Sequence, residues 1–216
     1  MTIKCVIFDC DGLMFDSERA SKRNWRRICA KHGLELTDEF YENVTGTTRQ
    51  FAEKFINEVP GLPEIMPEIR ANRNNAIFGE ATSRDDFIKP GLVELLDWLT
   101  EHNMPFAVAS SSNLDYVKTL LGTLPKEYPF TALITGDMVT HGKPDPEVFL
   151  TAANKCGIEP EYCLVLEDSR HGLQAGKRAG MTTGFIEDTI KKDDFITQHA
   201  DHMFDDLSQV ISFLEQ

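Results

Sequence analysis

The chain has 216 residues, of which 41% are hydrophobic and 26% charged, a balance that suits a globular protein of one domain or one domain carrying an insertion. A formal net charge of −13 argues against a general nucleic-acid or anionic-membrane surface, so an anionic substrate would need a metal or a few placed Lys and Arg. No apolar run approaches transmembrane length, the N-terminus reads as lacking a signal peptide, and five cysteines without a CxxC read as reduced thiols of a cytoplasmic protein.

In chain order, Ile3 to Phe8 is β-branched and aromatic and predicts a buried strand, which ends in two carboxylates, Asp9 and Asp11, followed by Gly12. Alternation along an extended segment puts Asp9 and Asp11 on one face and turns Cys10 away. Residues 17–80 then show no strand signal. Ser17 is a candidate N-cap for a helix carrying Ala20, Trp25, Ile28 and Cys29 and stopped by Gly33. Thr37 opens a second helix, "FAEKFINEV" forms a third that stops at Pro60-Gly61, and a fourth is expected between Pro63 and Phe78.

From "IKPGLVELLDWLTEHN" the pattern changes, with Pro90 expected in the first turn of a helix. Apolar strands "PFAVASSS", "FTALIT", "YCLVLEDS" and "MTTGFIE" now alternate with helices, and "DLSQVISFLEQ" closes the chain. Such alternation predicts a parallel sheet covered on both faces. The economical organisation is an α/β core of residues 1–15 and 88–216 with a helical insertion over 16–87. Ligands in such sheets bind beyond the carboxyl ends of the strands. There the sequence places Asp9 and Asp11, Ser110 to Ser112, Lys143 ahead of Pro144 and Pro146, and Glu167, Asp168 and Ser169. Four carboxylates with an amine and hydroxyls suit Mg²⁺, which takes one or two carboxylates and keeps room for water and a substrate phosphate. Screened by Mg²⁺ and Lys143, a carboxylate can approach a phosphate dianion and attack phosphorus.

"FDCDG", "VASSS", "GKPDP" and "LEDS" resemble, in order and spacing, the four motifs of the haloacid dehalogenase superfamily. The insertion resembles the helical cap of its β-phosphoglucomutase-like subfamily, which includes many sugar-phosphate phosphatases. The resemblance implies a Rossmann-like core, Asp9 as nucleophile and Asp11 as general acid and base. It further implies that Ser110 binds the transferring phosphoryl group, that Ser111 contacts substrate, and that Lys143 neutralises the phosphoryl charge. Asp168, Asp9 and the Asp11 carbonyl would ligate Mg²⁺, assisted by Glu167. "TGTTR" is similar to the cap loop that faces substrate, which implies substrate contacts for Thr47 and Arg49.

Local readings compete with these roles. Asp168 or Ser169 also suits a helix cap, and Arg73 reads as a surface residue. Cys10 is rejected as a thiolate nucleophile because two carboxylates flank it. The function expected is a Mg²⁺-dependent, monomeric phosphatase of a small phosphorylated metabolite, a sugar phosphate by preference. A phosphosugar mutase is the alternative enzyme and a phosphoacceptor signalling module the alternative class. In the mutases a histidine stands twelve residues after the nucleophile; here that place is Ser21, although Trp25 matches their tryptophan.

Overall fold

The structure is a computed structural model that describes residues 2–47, 49–73 and 87–216. Its centre is a six-stranded sheet of β1 (Cys5–Phe8), β2 (Phe106–Ala109), β3 (Ala132–Ile134), β4 (Cys163–Glu167), β5 (Thr182–Ile186) and β6 (His202–Phe204), in the order β3-β2-β1-β4-β5-β6. Every pairing is parallel, and Val6 lies between Phe106 and Leu164. The inner strands are continuous apolar runs because helices cover both faces. Side-chain alternation divides them: Val6, Phe8, Phe106, Val108, Leu164 and Leu166 join one hydrophobic cluster, while Cys5, Ile7, Ala107, Ala109, Cys163 and Val165 join another.

Helices α1 (Ser17–Lys31), α2 (Asp38–Val44), α3 (Arg49–Ile56) and α4 (Leu62–Ala71) follow β1 and pack around a third cluster of their own, which includes Ile28, Tyr41, Ile56, Leu62 and Met66. Asn24 on α1 donates to the Ile69 carbonyl on α4 at 3.0 Å, tying the first helix to the last. The chain leaves and re-enters the sheet layer through two paired segments. Asp16 N–H donates to Phe87 O at 2.9 Å and Lys89 N–H to Met14 O at 3.0 Å. Buried Asp188, just past β5, holds this crossing by pairing with Lys89 at 2.8 Å and with Arg19 on α1 at 3.1 Å. Among the described residues the remaining α-helices are α5 (Leu92–Glu101), α6 (Leu114–Leu121), α7 (Glu147–Cys156), α8 (Arg170–Arg178), α9 (Asp194–His199) and α10 (Gln209–Leu214). No helix among the described residues is long and apolar enough to cross a membrane.

Several local expectations shift. Ser17 is the first helical residue rather than the N-cap: Asp16 holds that position without a side-chain cap, because the Ser17 hydroxyl is turned to Asp11. Pro90 precedes α5, whose N-cap is Gly91. Helix α3 ends at Ile56, ahead of Pro60-Gly61, and α4 starts at Leu62. The end expected near Phe78 lies outside the described residues. Thr37, expected to begin the second helix, is its N-cap, and its hydroxyl accepts from Phe40 N–H at 3.1 Å. Strand β6 and helix α9 were not expected.

Candidate active site

Strands β1, β2 and β3 run to one side and β4, β5 and β6 to the other, so the carboxyl ends of β1 and β4 border the point where strand order reverses. Asp9 lies one residue past β1, where its N–H donates to Leu166 O at 3.0 Å; Ser110 lies one residue past β2; Glu167 ends β4. Lys143 reaches them from the loop before α7 and is fully buried. Its ammonium donates to Asp9 Oδ1 at 2.5 Å, Glu167 Oε1 at 2.6 Å and Ala109 O at 3.0 Å, which uses all three of its protons. Burial opposes that charge, yet Asp9 and Glu167 outweigh it and hold the lysine pKa above its ordinary value.

The second oxygen of Glu167 is equally committed. Oε2 accepts from the backbone N–H groups of Asp168 and Ser169 and from the Ser169 hydroxyl at 2.8 Å. Ser169, not Asp168, caps α8, accepting from Gly172 N–H at 3.0 Å. Glycine is required at 172, where a Cβ would stand 1.8 Å from the Glu167 carboxyl. Glu167 thus anchors Lys143 as well as contributing to the acidic cluster.

Asp168 differs: it is buried and its Oδ2 has no hydrogen-bond partner among the described residues. Possible ligand atoms of Asp9, Glu167 and Asp168 lie within 4.8 Å of one another. Burial, then the charges of Glu167 and Asp9, push the Asp168 carboxyl well above the usual carboxylate range. Asp9 is likewise raised, by burial against the pull of Lys143 and then by Glu167. Acids in this arrangement repel one another unless a cation completes the charge set. An orphaned buried oxygen beside two further carboxylates fits a hard divalent ion. The backbone makes room for it: at Gly12, with φ +81°, a Cβ would fall 2.2 Å from Asp168 Oδ2. Gly12→Ala is therefore expected to displace Asp168, weakening Mg²⁺ binding roughly 10–100-fold, the usual cost of disturbing a ligand's support. The check is the Mg²⁺ concentration that gives half the metal-induced rise in Tm.

The Asp11 carboxylate is turned away from that cluster. Oδ1 accepts from Ser17 Oγ at 2.7 Å, Tyr116 Oη at 3.0 Å and Arg73 at 3.4 Å, and Oδ2 accepts from Ser112 Oγ at 2.7 Å. Arg73 is half-buried rather than a free surface residue: its guanidinium lies 3.9 Å from the centre of the Tyr116 ring and reaches Asp11 from beyond α4. Cys10 packs in the core, and burial followed by Asp11 and Asp9 pushes its thiol well up, in line with its rejection as a nucleophile.

A cavity of about 1160 Å³ opens above these groups, with Asp9, Asp11, Ser111 and Ser112 on one side and Ser21, Trp25, Thr47 and Arg49 on the other. Ser110 is buried and accepts from Ser112 N–H at 3.0 Å, while the Ser111 hydroxyl donates to Gly46 O at 2.9 Å, joining the strand end to the helical insertion. Thr47 donates to Val44 O at 2.8 Å, and exposed Arg49 pairs with Glu53 at 3.0 Å. Sequence reasoning missed Tyr116 and Ser17 as partners of Asp11 and misjudged Arg73.

A family model described as haloacid dehalogenase-like hydrolase matches residues 3–180. The chain belongs to that family. This hydrolase is 31% identical over 212 residues to validoxylamine A 7'-phosphate phosphatase from Streptomyces hygroscopicus subsp. limoneus, covering 96% of this chain and 95% of the relative. It is 29% identical over 191 residues to a phosphorylated carbohydrates phosphatase from Thermotoga maritima, covering 83% and 82% of the two chains. Its fold matches the crystal structure of a β-phosphoglucomutase from Clostridium difficile with a TM-score of 0.80 and 23% identity, over 99% of this chain and 96% of that one.

Proposed function

We propose that this phosphoric monoester hydrolase acts on a small phosphorylated metabolite, a sugar phosphate by preference, through an aspartyl-phosphate and with Mg²⁺. The observation that carries the reading is the buried Asp9–Lys143–Glu167 chain beside the Asp168 oxygen unpaired among the described residues, with Asp9 lining a cavity. Asp9 and Asp168, with Glu167 and the Asp11 carbonyl, would hold Mg²⁺, which supplies charge neutralisation at the phosphate when bound. Residues 16–87 would serve as a cap over a core of 1–15 and 88–216, a reading supported by the separate hydrophobic cluster that runs from Ile28 to Ile69.

In this mechanism Lys143 holds Asp9 Oδ1, so Oδ2 attacks phosphorus. An O–P bond forms to Asp9, the ester P–O bond breaks, and the leaving oxygen takes a proton from Asp11. Water then attacks the same phosphorus and gives its proton to Asp11; the Asp9–phosphorus bond breaks and inorganic phosphate departs. Ser110 would orient the phosphoryl oxygens during both steps, and Ser111, Thr47 and Arg49 would contact the substrate.

The test is phosphate release across a panel of phosphorylated metabolites. Chelation by EDTA is expected to silence the enzyme and Mg²⁺ to restore it, with Ca²⁺ inhibiting because it prefers more ligands and looser geometry. Full activity in thoroughly chelated protein removes the metal from the reading. Hydrolysis rather than phosphosugar mutase activity is favoured by Ser21, which lines the cavity at the position where the resembling mutases have an imidazole; a serine hydroxyl neither gains nor loses a proton near neutral pH as an imidazole does. With β-glucose 1-phosphate and catalytic glucose 1,6-bisphosphate, phosphate is expected to appear faster than glucose 6-phosphate. The reverse order makes the chain a mutase.

A further inference from the structure

A proton carrier must present one oxygen to the leaving group, yet Asp11 sits in a turn, just before a glycine at φ +81°, where backbone alone does not orient it. The orientation comes from four donors on separate parts of the chain: Ser17 at the start of α1, Arg73 beyond α4, Ser112 after β2 and Tyr116 in the first turn of α6. Three of them converge on Oδ1 and one reaches Oδ2. Each carboxylate oxygen offers two lone pairs. Among the described residues, Oδ1 is therefore filled and Oδ2 retains a free lone pair.

Ser112 and Tyr116 belong to one stiff unit. Ser112 N–H donates to the Ser110 hydroxyl at 3.0 Å, and the Asn113 side chain caps α6 by accepting from Tyr116 N–H at 3.0 Å. The Tyr116 ring is buried and covered by the Arg73 guanidinium, which donates to Ser112 Oγ as well as to Asp11 Oδ1, each at 3.4 Å. The strand end that carries Ser110 thus also carries both core-side donors to Asp11.

We propose that Ser112 and Tyr116 are positioning residues for proton transfer, fixing the Asp11 carboxylate so that Oδ2 exchanges the proton with the leaving oxygen and with water. This rests on Asp11 as general acid and base. Arg73, stacked on Tyr116, makes that alignment sensitive to the placement of the helical insertion.

The test compares two aryl phosphates of one shape under single-turnover conditions with Mg²⁺ present. Phenyl phosphate releases phenol, whose pKa lies near the tyrosine value of about 10 and which needs a proton; 4-nitrophenyl phosphate releases a far more acidic phenol that does not. Tyr116→Phe and Ser112→Ala are each expected to slow phenol release roughly tenfold, a part of the 10² to 10⁴ that general acid catalysis contributes. Release of 4-nitrophenol stays within about threefold, and Ser112→Thr, which keeps the hydroxyl, recovers the phenol rate. Asp11→Asn is measured alongside and shows the same split, more strongly. No split in Asp11→Asn overturns the acid role itself. A split in Asp11→Asn, with Tyr116→Phe and Ser112→Ala slowing both esters equally or neither, overturns the positioning role and leaves the acid role standing.

Discussion

Asp9→Asn is expected to abolish turnover, with kcat falling on the order of 10⁴-fold or more, the scale on which loss of a covalent nucleophile acts. The amide is nearly isosteric and its oxygen still accepts from Lys143, so the fold persists. Burial and the neighbouring Glu167 raise the Asp9 carboxyl well above its unfolded value in the metal-free protein, against the pull of Lys143. A raised acid contributes stability below its unfolded pKa and loses it as pH rises. Replacing it with a neutral amide therefore leaves Tm in EDTA equal to or above that of the parent at pH 7, with the gap widening towards pH 8. Turnover, acid-stable phosphoenzyme and thermal unfolding measure the three effects. A kcat within tenfold of the parent, after mass spectrometry excludes deamidation to Asp, removes Asp9 from its role.

How much of this site is legible in the sequence depends on where each group lies along the chain. Asp9, Ser110, Glu167 and Asp168 stand out because polar residues close short apolar strands, and parallel strands put their carboxyl ends at one edge. Lys143 is located by the prolines that open α7. Tyr116, Ser17 and Arg73 are not legible in this way. Each sits on or beside a helix, and its turn towards Asp11 depends on how that helix is packed rather than on local pattern. Tyr116 reads as one more apolar position of α6, and Arg73 as a solvated arginine, until the Asp11 carboxylate and the Tyr116 ring are placed beside each other. The double commitment of Glu167 was also hidden, since only the tertiary structure brings Lys143 to one oxygen and the turn into α8 to the other. In the fold, β6 escaped because three residues, His202, Met203 and Phe204, half-exposed at a sheet edge, give no alternation to detect. The six-residue α9 is too short to establish a helical period.

Lys143→Met is expected to damage stability and catalysis together, and the pH dependence separates the two. The substitution keeps the apolar stem that packs below the ammonium but leaves Asp9 and Glu167 buried and facing each other without their shared cation. Removing one partner of a buried pair costs roughly 3–5 kcal/mol. In a chain of this size each kcal/mol lowers Tm by about 2–4 °C, so a fall of about 10 °C is expected at pH 7. Lys143 pulls the Asp9 pKa down; without it the carboxyl rises further, and the folded state favours protonated Asp9. Such a group destabilises the fold more as pH increases, so the deficit in Tm is expected to be larger at pH 8 than at pH 5. Kinetically, the variant loses charge stabilisation at the phosphoryl group, roughly 10² to 10³ in kcat, and a larger fraction of Asp9 is protonated and unable to attack. Glu167→Gln breaks the other arm and leaves Lys143 on Asp9. In the double variant Asp9 no longer faces the Glu167 charge, so the loss of Tm is smaller than the sum of the two single losses. Additive losses, or a Lys143→Met deficit that does not change between pH 5 and pH 8, mean that Lys143 does not hold the two acids in place.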